Sequence, residues 1–569
     1  MLPRRSLVLL SLLLASCSSG PESPASSAAG TGGAGGAGGG GGGAPPTGPL
    51  SGEVVAYEYT FALDTAEATA RVHYGVAEPG GDCLTLACDL PSVDAVSWND
   101  APATLATLDG AALTACGVGV RAAEPLVVEA KGQVPEDNYF GLDVGFSRIT
   151  NMDGGTFSYL LSWVGGCDHF GPCDDAPSKL VELSFDVTHA PTDVVLCPGV
   201  RTTSDGATHC EVKGTLAPTY SGFALAADPL WKKLSFGASS GVDFVFYEVP
   251  SGALAASLDP SRLDEFFTWL TGLLGPFPYG NELRFAGAPT KWLGFEHPAN
   301  IVLREDMPDL VTSYGDTTMH VTMHEIIHQW AGDRTTLATA QDFVWKEAMA
   351  EYLAYVFEDE ALSAEDAAAS LAYWDSISLQ AKYYPRPTDE PPPDVQKFYG
   401  DVYGPGPMTL FVQLEDLVGR PAVLAGIQSF LAQPAARSVD ELKSALAASS
   451  GAELGPYFDA WVFGSGKPEW PTFAIATSQI GSEVTVDVTQ QNLSGRLYGC
   501  RVEVQVAGAT ESAIAVVDFG LAPSSATASA TVTLSEPVAT TALDPNHRLV
   551  GRLAGGTAAP EPELPVYIF

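Results

Sequence analysis

The chain has 569 residues, with 28 Lys+Arg against 68 Asp+Glu and a formal net charge of -40. At about 150 residues per domain this length predicts three or four domains. So acidic a balance argues against nucleic acid or an anionic membrane surface as a main partner, because phosphate binding needs a basic footprint. The 59 Gly and 42 Pro predict linker and loop-rich segments around ordinary apolar cores.

The first residues, MLPRRSLVLLSLLLASCSSG, place Arg4 and Arg5 before an apolar stretch, Leu7 to Ala15. That pattern predicts an export signal, too short to serve as a membrane anchor. Leu14-Ala15-Ser16-Cys17 resembles a bacterial lipobox, which would make Cys17 a lipidated first residue after processing. Residues 1–17 are thus expected to be a lipoprotein signal and 18–50 a flexible Gly/Ser/Pro/Ala tether, too apolar-poor to fold. The expected location is the outer membrane of a bacterium, at its periplasmic face or the cell surface, with membrane contact only through the lipid.

Residues 51–235 read as a β-domain. VVAYEYTFAL, ATARVHYGVA and KLVELSFDVTHA alternate apolar and polar residues between turn signals. Eight cysteines follow Cys17, and an even count in an exported chain predicts disulfides. Local pairs Cys83/Cys88, Cys167/Cys173 and Cys197/Cys210 are one arrangement among many, leaving Cys116 and Cys500 to bridge two domains.

Residues 236–470 are mostly helical in pattern. LDEFFTWLTGLLG, TMHVTMHEIIHQWAG, FVWKEAMAEYLAYVFEDE, MTLFVQLEDLV and AVLAGIQSFLAQ carry broad apolar faces. Ser438 and Glu441 suggest a capped helix start. Residues 471–569 return to strands, including EVTVDVTQ and RVEVQVAG. The fold class is multidomain α+β.

The informative segment is His324-Glu325-Ile326-Ile327-His328. Histidines four apart on a helix share a face and can hold one metal, with Glu325 beside them to act on water. Zinc takes three protein ligands in a catalytic site. Glu347, on the next helix after eighteen intervening residues, is the best candidate for the third. His320, one turn earlier, is expected to support the site rather than bind the metal.

HEIIHQW with Glu347 resembles the signature of the gluzincin aminopeptidases, the zinc family of aminopeptidase N and leukotriene A4 hydrolase. The resemblance extends over LGPFPYGNELRFAG, GPCDDAPSKLVELSF and GPYFDAWVFGSGKPEWP, and covers roughly residues 51–471. It implies a saddle-like N-terminal β-domain, a thermolysin-like catalytic domain and a C-terminal β-sandwich, without the family's large C-terminal helical domain. It implies one zinc ion on His324, His328 and Glu347, and Glu325 as general base. Tyr403 would stabilise the oxyanion, with Pro405 where the family has lysine and Tyr399 a nearby competitor. Glu296, in LGFEHPAN, falls on the glutamate that meets a substrate's N-terminus.

Departures surround these matches. Leu293, Phe295 and His297 replace Gly, Met and Asn around Glu296, and Lys346 and Ala348 replace the Asn and Gly flanking Glu347. Trp163 stands near the position of a second amine-binding acid, with Asp168 the candidate substitute. The function expected first is zinc-dependent release of N-terminal residues from peptides, with the sequence leaving the oligomeric state open and a monomer favoured. The alternatives are an endopeptidase or a peptidase of narrowed specificity on the same fold, or an inactive surface binding protein.

Overall fold

The computed structural model describes residues 48–78, 81–118, 120, 125–139, 144–310, 312, 314–395 and 408–555. Cys17, the signal, tether residues 18–47 and the Tyr403 segment lie outside them, while Leu50, at the end of the expected tether, is buried against the N-terminal core.

The N-terminal region is built on an eight-stranded sheet in the order 200–204, 207–218, 180–188, 51–62, 67–78, 126–133, 93–98 and 101–102. Tyr57, Tyr59 and Phe61 alternate inward along Ser51–Ala62. Val54 keeps to the same core although its parity differs, because a register shift between Val54 and Ala56 resets the alternation. A second sheet, in the order 194–196, 224–228, 156–161, 144–150 and 137–139, leads toward the helical region.

The disulfides correct one expected pairing. Cys83 bonds Cys116, while Cys167–Cys173 and Cys197–Cys210 are as expected. Strand Cys83–Ala87 runs antiparallel to Ala112–Cys116 with Cys83 facing Cys116. Cys88 lies at the other end of that extended strand, about 16 Å away at strand rise, beyond disulfide reach. Cys88 and Cys500 are unbridged and buried, so the expected link between Cys116 and Cys500 does not form.

The central region opens with a five-stranded sheet, order 232–239, 242–248, 282–288, 300–304 and 294–295. Its three middle strands are parallel, and the short Gly294–Phe295 is an antiparallel edge. Helices follow at Pro260–Leu274, Thr317–Ile327, Phe343–Phe357, Ala364–Ser378, Met408–Val418, Arg420–Phe430, Val439–Ser450 and Gly455–Trp461. The Ala364–Ser378 helix escaped the sequence pattern because alanines and acids dilute its apolar face. Ser438 and Glu441 form the expected reciprocal cap.

The C-terminal region is strand-rich. A four-stranded sheet and a three-stranded sheet turn Val484, Val486, Val488 and Val502, Val504, Val506 into one core. Arg548 ties it to the helices through Glu415 and Asp416, at 2.7 and 2.6 Å. No helix among the described residues is long and apolar enough to cross a membrane.

Candidate metal centre

Two buried helices and one sheet edge build the site. Asp316 caps the Thr317–Ile327 helix by accepting from the Met319 amide. The helix stops sooner than its apolar pattern predicts, ending at Ile327 with His328 as its C-terminal cap. Beyond it, His328 Nδ1 lies 2.9 Å from the Ala331 carbonyl, and Gly332 adopts φ +142°. The turn thus fixes the second histidine of the motif. Its Nδ1 proton goes to the carbonyl, leaving Nε2 with a lone pair.

His324 and His328 present their Nε2 atoms 3.0 Å apart. Glu347 Oε2, from the Phe343–Phe357 helix, stands 3.3 Å from the first and 3.5 Å from the second. Tetrahedral zinc with bonds near 2.05 Å sets its ligands about 3.3 Å apart. Three lone-pair donors at these separations, all buried, can hold one metal ion. Two facing imidazole nitrogens without a cation between them would have only one proton to share, which makes the donor set a fit for a metal.

Each donor is oriented from behind. His324 Nδ1 lies 3.0 Å from Glu351 Oε2, a carboxylate–histidine arrangement that sets the ring's tautomer and raises its basicity. Glu347 Oε1 receives the Lys346 ammonium at 2.5 Å, leaving Oε2 for the metal. Burial would lower His324, but its hydrogen bonds to Glu347 and Glu351 hold it up at about 9. His328 is lowered, by burial first and then by Lys346. For Glu347, burial is outweighed by Lys346 and His328, which hold it well below the usual carboxylate range. A divalent ion would keep both imidazoles neutral.

Glu325 faces the same cavity. Its Oε2 is buried with no hydrogen-bond partner among the described residues. Burial pushes its carboxyl up to about 8, against the pull of His324. The carboxylate fits because residue 294, on the sheet edge, is glycine. A Cβ there would stand 2.3 Å from Glu325 Oε1.

Glu296 follows that edge strand and joins the cavity, which is also lined by Trp163, Trp292 and Phe295. Its partner is internal: Lys346 Nζ lies 2.9 Å from Glu296 Oε1. Burial would raise Glu296, but Lys346 and His328 outweigh it and lower it. A second trio, Glu296, Glu325 and His328, also converges. The first trio is the better metal site, since Glu296 already holds an ammonium.

His320 stands apart, with Nδ1 2.7 Å from Glu358 and Nε2 2.9 Å from Glu351. Asp168 pairs with His169 at 2.9 Å and does not line the cavity, whereas Trp163 does. Lys346 entered the sequence reading only as a departure from the family pattern, and Glu351 not at all. Its signal was its place four residues after Glu347, on the same helix face.

Residues 299–461 match the model of the Peptidase family M1 domain. No curated protein matches the chain. Among solved structures it is similar to Legionella pneumophila aminopeptidase A, crystallised in complex with aspartic acid. The identity is 15% and the TM-score 0.69, over 89% of this chain. The match spans 60% of that protein's chain, and at this identity the likeness is one of fold.

Proposed function

We propose that this protein is a zinc-dependent peptidase that releases N-terminal residues from peptides. The observation that carries the reading is the convergence of His324, His328 and Glu347 beside a Glu325 oxygen that has no hydrogen-bond partner among the described residues. The match of residues 299–461 to a peptidase family supports it. Zinc held by those three side chains supplies Lewis acidity toward a carbonyl and acidifies water. Glu325 Oε2 takes the proton of the attacking water and gives it to the leaving amine. Glu351 holds His324, and Lys346 holds the far oxygen of Glu347. Tyr403, outside the described residues, is proposed to meet the oxyanion.

The test uses purified full-length protein, loaded with zinc, and a panel of peptides. Hydrolysis should cease with a chelator and return with zinc. Glu325→Gln should retain zinc and lose about 100-fold to 10,000-fold in rate. Hydrolysis that survives chelation, or a fully active Glu325→Gln, overturns the reading.

One observation favours the second reading, a peptidase of narrowed specificity: the carboxylate expected to meet a substrate's amine is already paired with Lys346. We also propose that Cys17 is lipidated and holds the protein at the outer membrane through the 18–50 tether. Loss of labelling by a palmitate analogue in Cys17→Ser is the expected result, and unchanged labelling overturns it.

A further inference from the structure

Among the described charged residues that line the metal cavity, three carboxylates, Glu296, Glu325 and Glu347, face one ammonium, Lys346. A divalent ion on the ligand trio would balance the rest. Fixed charge is then satisfied before any substrate enters. Buried charges are retained where they are paired, and an added one must find a partner or bear its desolvation.

The lysine is built in. Its side chain is 3% exposed and lies between Glu296 and Glu347, at 2.9 and 2.5 Å. Its ammonium also stands 5.1 Å from the centre of the Phe343 ring. The stem passes where residue 332 has no side chain. A Cβ on Gly332 would lie 2.9 Å from Lys346 Cε. The walls beside Glu296 are aromatic: Trp163, Trp292 and Phe295.

We propose that Lys346 supplies from within the chain the cation that Glu296 holds, so that this end of the cavity takes a neutral acylamino group instead of a free α-ammonium. The substrate class is a peptide whose first residue is N-acylated. An internal residue of a longer chain presents the same chemistry and is the competing source. A free α-ammonium would meet the Lys346 ammonium in a cavity whose described carboxylates already face Lys346 or the ligand trio.

The inference rests on the peptidase reading, and the experiment separates the two. Zinc-loaded protein is given alanyl, leucyl, phenylalanyl and arginyl p-nitroanilides, each with a free and an acetylated amine. The acetylated member should have a kcat/KM at least about 10-fold higher, the scale of one unfavourable charge contact. The free-to-acetylated ratio should rise with pH as the substrate's amine loses its proton near about 8. Titration of enzyme groups that act equally on both substrates cancels in that ratio. Lys346→Met should shift the ratio about 10-fold toward the free amine. If that variant does not fold, the wild-type pH profile decides alone.

Internally quenched peptides blocked at both ends separate the sources. Products that retain the acetylated first residue alone support the terminal class, and internal cleavage replaces it with the endopeptidase. A ratio that favours the free amine, or that is flat with pH, overturns the inference and leaves the peptidase reading standing. No hydrolysis of any compound overturns the peptidase reading instead. Calorimetry on Glu325→Gln with leucinamide and N-acetyl-leucinamide then decides. Tighter binding of the acetylated compound supports the inference, and equal, weaker or no binding of it overturns it.

Discussion

Two histidine–glutamate clusters share one pair of helices, and they have opposite characters. In the first, His320 is sandwiched by carboxylates: both ring nitrogens point at Glu351 and Glu358, and its ring stacks on Tyr314 at 3.8 Å. Every polar atom of the imidazole has a protein partner. In the second, one turn later, His324 and His328 spend their Nδ1 atoms on Glu351 and a carbonyl and aim their Nε2 atoms at each other. Spacing along the helix does not distinguish the two. What does is where the nitrogens point: those of His320 end on two separate carboxylates, whereas Nε2 of His324 and of His328 converge with Glu347 Oε2 into a trio that can hold a metal ion.

The largest expected effect follows from removing a donor of the second cluster. Glu347→Ala takes away a ligand and also releases Lys346. Bound zinc should fall to background, and peptide hydrolysis with it, measured by metal analysis and a rate assay. His320→Gln should keep its zinc, which sharpens the contrast. Loss of zinc in His320→Gln, or its retention in Glu347→Ala, would break it.

Glu351 belongs to both clusters and should show an intermediate effect. Its Oε2 orients His324, while its Oε1 gathers His320, Tyr314 and the Trp374 indole. Glu351→Gln keeps the shape and removes the charge. Zinc affinity should fall about 10-fold to 100-fold, the usual cost of losing an orienting partner. Competition with a chelating dye reads this directly. An unchanged affinity would mean that the His324 ring is held by packing alone.

How far the sequence could reach follows the same lines. The pairing of His324 with His328 was legible because four residues on a helix is a local relation. Glu347 was legible only as the best candidate on the next helix, since nothing local tells which later carboxylate returns to the site, and the family resemblance supported it. The Cys83–Cys116 bridge was out of reach because strand register, not proximity in sequence, decides it. Lys346 could be seen as an oddity next to Glu347. Its direction could not be read, because it depends on the space left by Gly332 and on the edge strand that delivers Glu296. The division into a strand-rich start, a helical middle and a strand-rich end was readable from periodicity, which changes where the architecture does.

The smallest expected effect on the metal comes from His320, and its signature is pH. Burial would lower this histidine, but Glu351 and Glu358 outweigh that and hold it at about 10. A group raised on folding binds its proton more tightly in the native state. Its contribution to stability is therefore complete below the unfolded value of about 6.5 and is lost as pH rises through about 10. Breaking a buried pair by removing one partner costs about 3 kcal/mol or more, because the carboxylates left behind lose their cation. His320→Gln should therefore unfold at lower temperature than the wild type near neutral pH. The gap should narrow as pH approaches 10, since the wild type then loses the same charge. Thermal melts of both proteins in metal-free buffer check this, and taking their difference removes the other groups that titrate in that range. A gap independent of pH would show that His320 acts through packing on Tyr314, and the two clusters would then differ in shape instead of charge.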